Sequence, residues 1–291
     1  MRKLKLGFTD THDHLAQFFS SILANRFDVD IDNENPDYLI FGDENFGTNN
    51  KKFSRDNVVK IFYTGENRRP ENYDCDYAIT FDHNYNNWHY RLPLNVIYMW
   101  SLDMIHKTGY DYYHILGDHE PKDKTSFCSF VVSNGGCKER NDFFQLLNQY
   151  KPIDSGGKLF NNIDAKLDGE VSKIDFLSSR KFNICFESAS YPGYVTEKIL
   201  HAFYAKTVPI YWGSLTVASD WNPGAFINAH DFDSRQELLE HVMMVDQDDD
   251  LYNNIVNASP LIDNIPKDYM LFNNFLNWFD AVVYNKIDGK E

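Results

Sequence analysis

Basic residues are scarce relative to acidic ones in this chain of 291 residues. There are 28 Lys and Arg against 43 Asp and Glu, a formal net charge of −15 at pH 7. A surface of that sign does not neutralise a polyanion backbone, so nucleic acid is not expected as a partner, and any phosphate must enter a small local pocket. Cysteine is scarce too: Cys75, Cys128, Cys137 and Cys185 form no Cys-x-x-Cys pair and match no spacing that holds zinc. Cys128 in SFCSFVV and Cys185 in KFNICF lie in apolar runs, the setting of buried reduced thiols, which predicts a reducing compartment. No apolar run approaches the roughly 20 residues that span a bilayer. Met1 leads straight into the strand-like RKLKLGF in place of a signal peptide. The expectation is a cytoplasmic protein without a transmembrane segment, soluble or peripheral to a membrane. The sequence also lacks internal repeats.

Core-forming residues, by contrast, are abundant. The chain is 43% hydrophobic and 16% aromatic, with 23 Phe, 18 Tyr and 5 Trp, a composition that folds into a packed interior rather than remaining disordered. Its length exceeds the usual size of one hydrophobic core, so two domains are expected.

The pattern along the chain is an alternation of strands and helices. RKLKLGF reads as a strand and LAQFFSSILANRF as a helix, followed by strands at 37–42, 57–64 and 76–81. The signal weakens over 82–125, which suggests an interdomain connection. A second alternation begins with a strand at 127–134 and the helical NDFFQLLNQY. It continues through the turn DSGGK, a helix EVSKIDFLSS, the strand KFNICFES, the helix VTEKILHAFYA and the strands TVPIYWG and AFINAHDF. Ser234 with Glu237 three residues on reads as a capping box opening a further helix. Near the C-terminus, Leu271, Phe272, Phe275, Leu276, Phe279 and Val282 share one helical face that must be buried. The expected organisation is an α/β domain over residues 1–120, a second over 121–265, and a C-terminal helix in 266–291 packing on them. Two such layers facing across a cleft bind nucleotides at the carboxyl ends of their parallel strands.

Three groups of residues could carry chemistry. Tyr194-Val195-Thr196-Glu197-Lys198 opens a helix after a buried strand and a Pro-Gly turn. Helix starts attract phosphate, and a lysine there is unfavourable unless an anion answers it. A surface Glu-Lys pair would give the same letters, but the strand-turn-helix setting favours a nucleotide site. Arg140, after FVVSN and GGCKE, stands at a second strand-to-helix junction, where its fork suits phosphate oxygens or simply solvates a helix start. Glu66 ends the hydrophobic strand VVKIFYT in the turn Gly65-Glu66-Asn67, a placement suited to a general base and also common in plain turns.

KFNICFESASYPGYVTEKILHAFYAKTVPIYWGS, with AsnProGlyAlaPheIle and HisAspPhe after it, resembles the donor-binding signature of GDP-fucose-dependent α-1,3-fucosyltransferases, the bacterial members of glycosyltransferase family ten in particular. KIFYTGENRRPENYDCDYAITFD, YRLPL and SFVVSNGGCKERNDFFQLLNQYKPIDSGGK resemble the segments that precede it, so the likeness covers roughly residues 37–232. The resemblance implies two Rossmann-like α/β domains of the glycosyltransferase B type and transfer of fucose with inversion at the anomeric carbon. It implies Glu66 as the catalytic base, Arg140 and Lys198 on the pyrophosphate, and Tyr194 and Glu197 lining the nucleotide-sugar pocket. Where the family commonly has Phe-Glu-Asn, this chain has Phe186-Glu187-Ser188, so Ser188 takes the third donor-contact position. It further implies GDP-fucose as donor and a glycan acceptor of the Galβ1-4GlcNAc (LacNAc) type fucosylated at the GlcNAc 3-hydroxyl. The products would be Lewis-type antigens, lipopolysaccharide or protein glycans. Acceptor choice is expected to lie in loops such as 43–54 and 82–115. No obligatory cofactor or metal is expected, because two protein cations already balance the leaving group and the sequence holds no convincing metal clamp; Mn or Mg is expected only to stimulate, by aiding GDP release.

Two motifs support other readings. Asp10-Thr11-His12-Asp13-His14 after the first strand resembles the opening of a metal-dependent amidohydrolase barrel, or else forms a polar loop in contact with an acceptor. Asp246-Gln247-Asp248-Asp249-Asp250 resembles an Asp-x-Asp metal clamp but follows a helical pattern, which makes it a solvated acidic helix end. A non-catalytic nucleotide-sugar-binding module would keep Arg140 and Lys198 and dispense with Glu66.

Overall fold

The computed structural model describes residues 1–83, 86–106, 122–164 and 167–284. The chain divides into two compact units, Met1–Ile97 with Lys267–Glu291, and Tyr98–Pro266. The division thus falls at 97/98 and 266/267, whereas the sequence placed it at 120, outside the described residues, and at 265. The weak signal over 82–125 conceals a strand and a helix. The strand is only three residues long, with two of them, His89 and Arg91, polar yet buried, and the helix buries Asn95, Val96, Ile97, Met99, Trp100 and Leu102 around most of its circumference, so neither shows a clear apolar period.

In the first unit the strands are β1 (Arg2–Thr9), β2 (Phe27–Ile31), β3 (Tyr38–Phe41), β4 (Val59–Tyr63), β5 (Tyr77–Thr80) and β6 (His89–Arg91), with α1 (Asp13–Leu23) after β1; α2 (Leu94–His106) follows β6 and continues from the first unit into the second. All pairings are parallel, in the order β2-β1-β3-β4-β5-β6. Every residue of β3, β4 and β5 is buried, which is why these strands read as continuous apolar runs rather than alternating ones. Even Lys60 of β4 is buried, its ammonium 3.2 Å from Asp74 and 5.2 Å from the centre of the Phe41 ring.

The C-terminal segment completes this unit's core. Phe275 lies 6.0 Å from the Phe19 ring of α1 and 5.3 Å from Tyr90 of β6. Tyr38 stacks on Tyr284 at 5.9 Å and donates to its carbonyl at 2.9 Å. The helix Phe272–Trp278 loosens into a π-helical turn over Phe279–Tyr284. The wider winding moves the buried face by one residue, so Val283 is inside where α-helical spacing had placed Val282.

The second unit holds β7 (Ser126–Phe130), α3 (Lys138–Tyr150), β8 (Ile153–Ser155), α4 (Gly169–Ser178), β9 (Arg180–Phe186), α5 (Glu197–Tyr204), β10 (Val208–Trp212), α6 (Val217–Asp220), β11 (Ile227–Asn228), α7 (Arg235–Gln247) and α8 (Asp249–Val256). Its parallel sheet runs β11-β10-β9-β7-β8, so the strand order reverses between β7 and β9. The expected strand AFINAHDF shrinks to the two residues of β11, because the Asn222 and Asn228 side chains accept from the Gly224 and His230 amides at 3.0 and 3.3 Å and bend the backbone on either side. Ser234 does cap α7, accepting from the Glu237 amide at 3.2 Å, while Glu237 reaches back to Asp233 at 3.1 Å.

Phe275 is wholly buried between Phe19 and Tyr90. Truncation in Phe275→Ala should cost about 3–5 kcal/mol, the usual loss for a core phenylalanine. Urea unfolding measures it, and a loss under about 1 kcal/mol would contradict this packing.

Candidate active site

The point where a parallel sheet reverses its strand order leaves a crevice at the carboxyl ends of the two flanking strands. In the second unit those strands are β7 and β9, and Arg140 joins their exits. It stands in the first turn of α3, is 2% exposed, and donates to the Phe186 carbonyl at 3.3 Å and the Asn134 carbonyl at 2.6 Å. Its Nε is buried with no hydrogen-bond partner among the described residues. Burial lowers its pKa, with the Cys137 thiol and the Glu187 carboxylate opposing.

One residue after Phe186, the chain places a fully buried carboxylate. Glu187 accepts from the Thr196 amide at 2.7 Å, the Thr196 hydroxyl at 2.7 Å and the Lys198 ammonium at 3.0 Å. Its own amide donates to the Trp212 carbonyl at 2.8 Å. A Cβ on Gly213 would come within 2.4 Å of Glu187 Cγ, so the end of β10 must be glycine for the carboxylate to fit. Lys198 also donates to the Thr196 hydroxyl at 2.8 Å and lies 3.7 Å from Glu197, whose other neighbour is Lys173 at 3.6 Å. Burial disfavours the Lys198 charge, but Glu187 and Glu197 outweigh it and raise its pKa above 10.5. Burial likewise opposes the Glu197 charge, and Lys198 and Lys173 reverse that, holding its pKa below the ordinary carboxylate range. For Glu187 burial prevails and pushes the pKa up, with Lys198 opposing. The anion that a lysine at a helix start demands is therefore built into the chain.

The turn between β9 and α5 is fastened to the exit of β10. Gly193, at φ +82°, donates to the Ser214 and Thr216 hydroxyls at 2.8 and 3.0 Å. The Tyr211 hydroxyl donates to the Tyr194 carbonyl at 3.2 Å, and the Ser190 hydroxyl to the Gly213 carbonyl at 2.7 Å. Tyr194 is buried, and its hydroxyl lies 3.0 Å from that of the exposed Ser188. Arg140, Ser188, Tyr194, Glu197 and Lys198 thus all gather around the exit of β9. Sequence reading assigned no contact to Glu187. The signal was available in the polar residue that follows the apolar run KFNICF, 11 positions before Lys198.

Glu66 belongs to the first unit, in the turn after the central strand β4, and is exposed. Its amide donates to the Thr64 hydroxyl at 3.0 Å, and its carbonyl accepts from the Arg68 amide at 2.7 Å. A Cβ on Gly65 would meet Leu94 Cδ1 at 2.9 Å and the Tyr63 hydroxyl at 3.1 Å, so a side chain there would push Leu94 aside. Next to this turn Asp82 is buried, pairs with Arg69 and accepts from the Thr80 hydroxyl at 2.9 Å. Burial raises the Asp82 pKa against the pull of Arg69.

Both competing motifs turn out to have structural duties. Asp10 is buried and binds backbone amides of Asn49 and Asn50, while β1 belongs to an open sheet and not to the barrel of an amidohydrolase. Asp246 is not a solvated helix end as its sequence suggested. It is buried, with Lys181 at 3.1 Å, Tyr150 donating at 2.9 Å and Lys151 in contact. Asp248 caps α8, accepting from the Leu251 amide at 3.0 Å. No group of three or more His, Cys, Asp or Glu side chains among the described residues is arranged to hold a metal ion.

Residues 121–257 match the family model for the C-terminal region of glycosyltransferase family 10 (fucosyltransferase), and residues 5–98 match that for the alpha-(1,3)-fucosyltransferase FucT N-terminal domain. The chain is 32% identical over 297 residues to the alpha-(1,3)-fucosyltransferase FucT of Helicobacter pylori, covering 91% of this chain and 61% of that protein. It is 30% identical over 176 residues to alpha-(1,3)-fucosyltransferase B of Drosophila melanogaster, covering 56% of this chain and 39% of the relative. It therefore spans less than two thirds of the curated relatives named here. A crystal structure of an alpha1,3-fucosyltransferase superposes with a TM-score of 0.81 at 28% identity, covering 98% of this chain and 91% of that one. A crystal structure of an alpha1,3-fucosyltransferase with GDP-fucose superposes with a TM-score of 0.79, also at 28% identity and with the same coverage. No helix among the described residues is long and apolar enough to cross a membrane. With two α/β units of the glycosyltransferase B type and a match to both family regions, the chain belongs to glycosyltransferase family 10, the fucosyltransferases.

Proposed function

We propose that this chain is an inverting α-1,3-fucosyltransferase that moves L-fucose from GDP-fucose to the 3-hydroxyl of GlcNAc in a Galβ1-4GlcNAc-type glycan. The observation that carries the reading is the attachment of two cations to consecutive residues at the β9 exit, Arg140 on Phe186 and Lys198 on Glu187. Among the described residues Arg140 retains an unpartnered Nε, and the three-donor ammonium of Lys198 bonds Glu187 and Thr196 and lies 3.7 Å from Glu197, a longer ion pair whose donor can turn to a phosphate oxygen. The crystal structure with GDP-fucose among the similar folds supports the same donor.

In the reaction the acceptor oxygen bonds to the fucose anomeric carbon as the bond from that carbon to the β-phosphate oxygen breaks. The electron pair leaves with GDP, and the acceptor proton passes to the Glu66 carboxylate. Positive charge develops on the sugar and negative charge on the diphosphate, so fixed cations there stabilise the transition state more than the ground state. Arg140 and Lys198 fill that role, Tyr194, Glu197 and Ser188 shape the donor pocket, and no metal is obligatory. Mn or Mg would act by aiding GDP release. The four free cysteines fit a reducing cytoplasm, where the enzyme would act on a glycan precursor.

Lys198→Ala should weaken GDP binding by about 10–100-fold, the range for a charged hydrogen bond, as read by calorimetric titration. Arg140→Ala should act in the same direction, and parental affinity in both would remove these cations from the diphosphate. Glu66→Gln should reduce kcat by at least about 10²-fold with GDP affinity unchanged, because the lost interaction forms only as the proton moves. Near-normal turnover of a folded Glu66→Gln protein would remove Glu66 as the base and make Glu187 and Glu197 the carboxylates to test.

A further inference from the structure

Among the described residues Phe46 is the one exposed phenylalanine, with 42% of its surface open to solvent. The His12 ring, itself exposed, meets it edge-on, with centroids 4.4 Å apart and planes at 68°. An aromatic ring left in water on a slack loop would signify little. This loop is fastened at both ends.

On one side Asp10, held at φ +52°, accepts from the Asn49 and Asn50 amides at 2.9 and 2.8 Å and from the Asn50 side chain at 2.9 Å. The chain passes so close to it that a Cβ on Gly47 would lie 2.5 Å from Asp10 Oδ1. On the other side the Phe46 amide donates to the Asp43 carbonyl at 3.1 Å, and the buried Asp43 carboxylate accepts from the Asn45 amide at 3.0 Å and the Thr64 hydroxyl at 3.4 Å. That hydroxyl is the one that receives the Glu66 amide. Glu44 adds the Tyr73 hydroxyl at 2.5 Å and Arg68 at 3.6 Å, the latter from the Glu66 turn itself. The loop that carries the ring is thus pinned to the end of β1 through Asp10 and, through Asp43 and the Thr64 hydroxyl, to the Glu66 turn, so less conformational entropy is lost when a ligand orders it.

We propose that Phe46, backed by His12, is the platform on which the outer galactose of the acceptor stacks. This rests on the fucosyltransferase reading and assigns it an acceptor contact. The axial C4 hydroxyl of galactose leaves the C3, C4 and C5 hydrogens on one face of the ring, an apolar patch that matches the face of an aromatic side chain. Polar groups around the platform then read the rim of the sugar, the usual division of labour in a ligand site. Asp10 and Asp43 are positioning residues that fix the platform relative to the Glu66 turn.

The test uses the full chain with GDP-fucose and N-acetyllactosamine, comparing the parent with Phe46→Ala and Phe46→Trp. Phe46→Ala should raise the acceptor KM about tenfold while leaving the GDP-fucose KM and the thermal midpoint at parental values. Phe46→Trp should return the acceptor KM to near the parent. A parental acceptor KM in Phe46→Ala overturns the platform, and so does a rise in both KM values that tryptophan does not reverse. A parent that fucosylates other glycans but no β-galactoside overturns it as well. A parent that transfers fucose to no glycan overturns the fucosyltransferase reading itself.

Discussion

The Glu187 carboxylate is the constraint from which the rest of the second unit's site follows. It is fully buried, and a buried charge is tolerated only when it is paired and hydrogen-bonded. Its partners are the amide and hydroxyl of the residue that caps α5 and the ammonium of Lys198 in the first turn. One side chain thereby starts the helix, places the cation and excludes any residue but glycine at 213. Removing one member of such a group typically costs about 3–5 kcal/mol, because the remaining charge is left without compensation. The loop that holds Tyr194 and Ser188 depends on the same point, through the fastening of Gly193 and Ser190 to the β10 exit.

The first unit repeats the device with different residues. Asp10, Asp43 and Asp82 follow β1, β3 and β5, each buried and each accepting hydrogen bonds that shape a loop. Glu66, after β4, is the exposed carboxylate among them. Carboxylates whose lone pairs are consumed by amides and hydroxyls organise the chain ends. Part of the net charge of −15 is accordingly internal to the fold, as Asp246 between Lys151 and Lys181 also shows.

Strands β3, β4, β5 and β9 were legible because runs such as YLIF and FNICF are buried on both sheet faces and leave no alternation to misread. The helix at Thr196 and the capping role of Ser234 were legible for a local reason, since both rest on contacts within a few residues. Asp246 was misread because its partners Lys151 and Lys181 are 95 and 65 residues away. The π-helical turn after Trp278 escaped for a similar reason, as its winding is set by packing on Tyr38, Tyr77 and Phe27 and not by its own letters. At the site, the strand-turn-helix pattern located Lys198 and Arg140. The carboxylate answering Lys198 was present as the polar residue after KFNICF, but that it meets Lys198 became evident only once β9 and α5 were placed side by side.

The dependence of Lys198 on Glu187 is open to direct measurement by NMR titration of the Lys198 ammonium in the full chain and in Glu187→Gln, which keeps the size and removes the charge. In the parent Lys198 should remain protonated above the ordinary lysine value of 10.5, since the neighbouring carboxylates outweigh its burial. In Glu187→Gln burial has less to oppose it, and the lysine should lose its proton at a lower pH than in the parent. An identical titration in the two proteins would show that Glu187 does not hold the charge of Lys198.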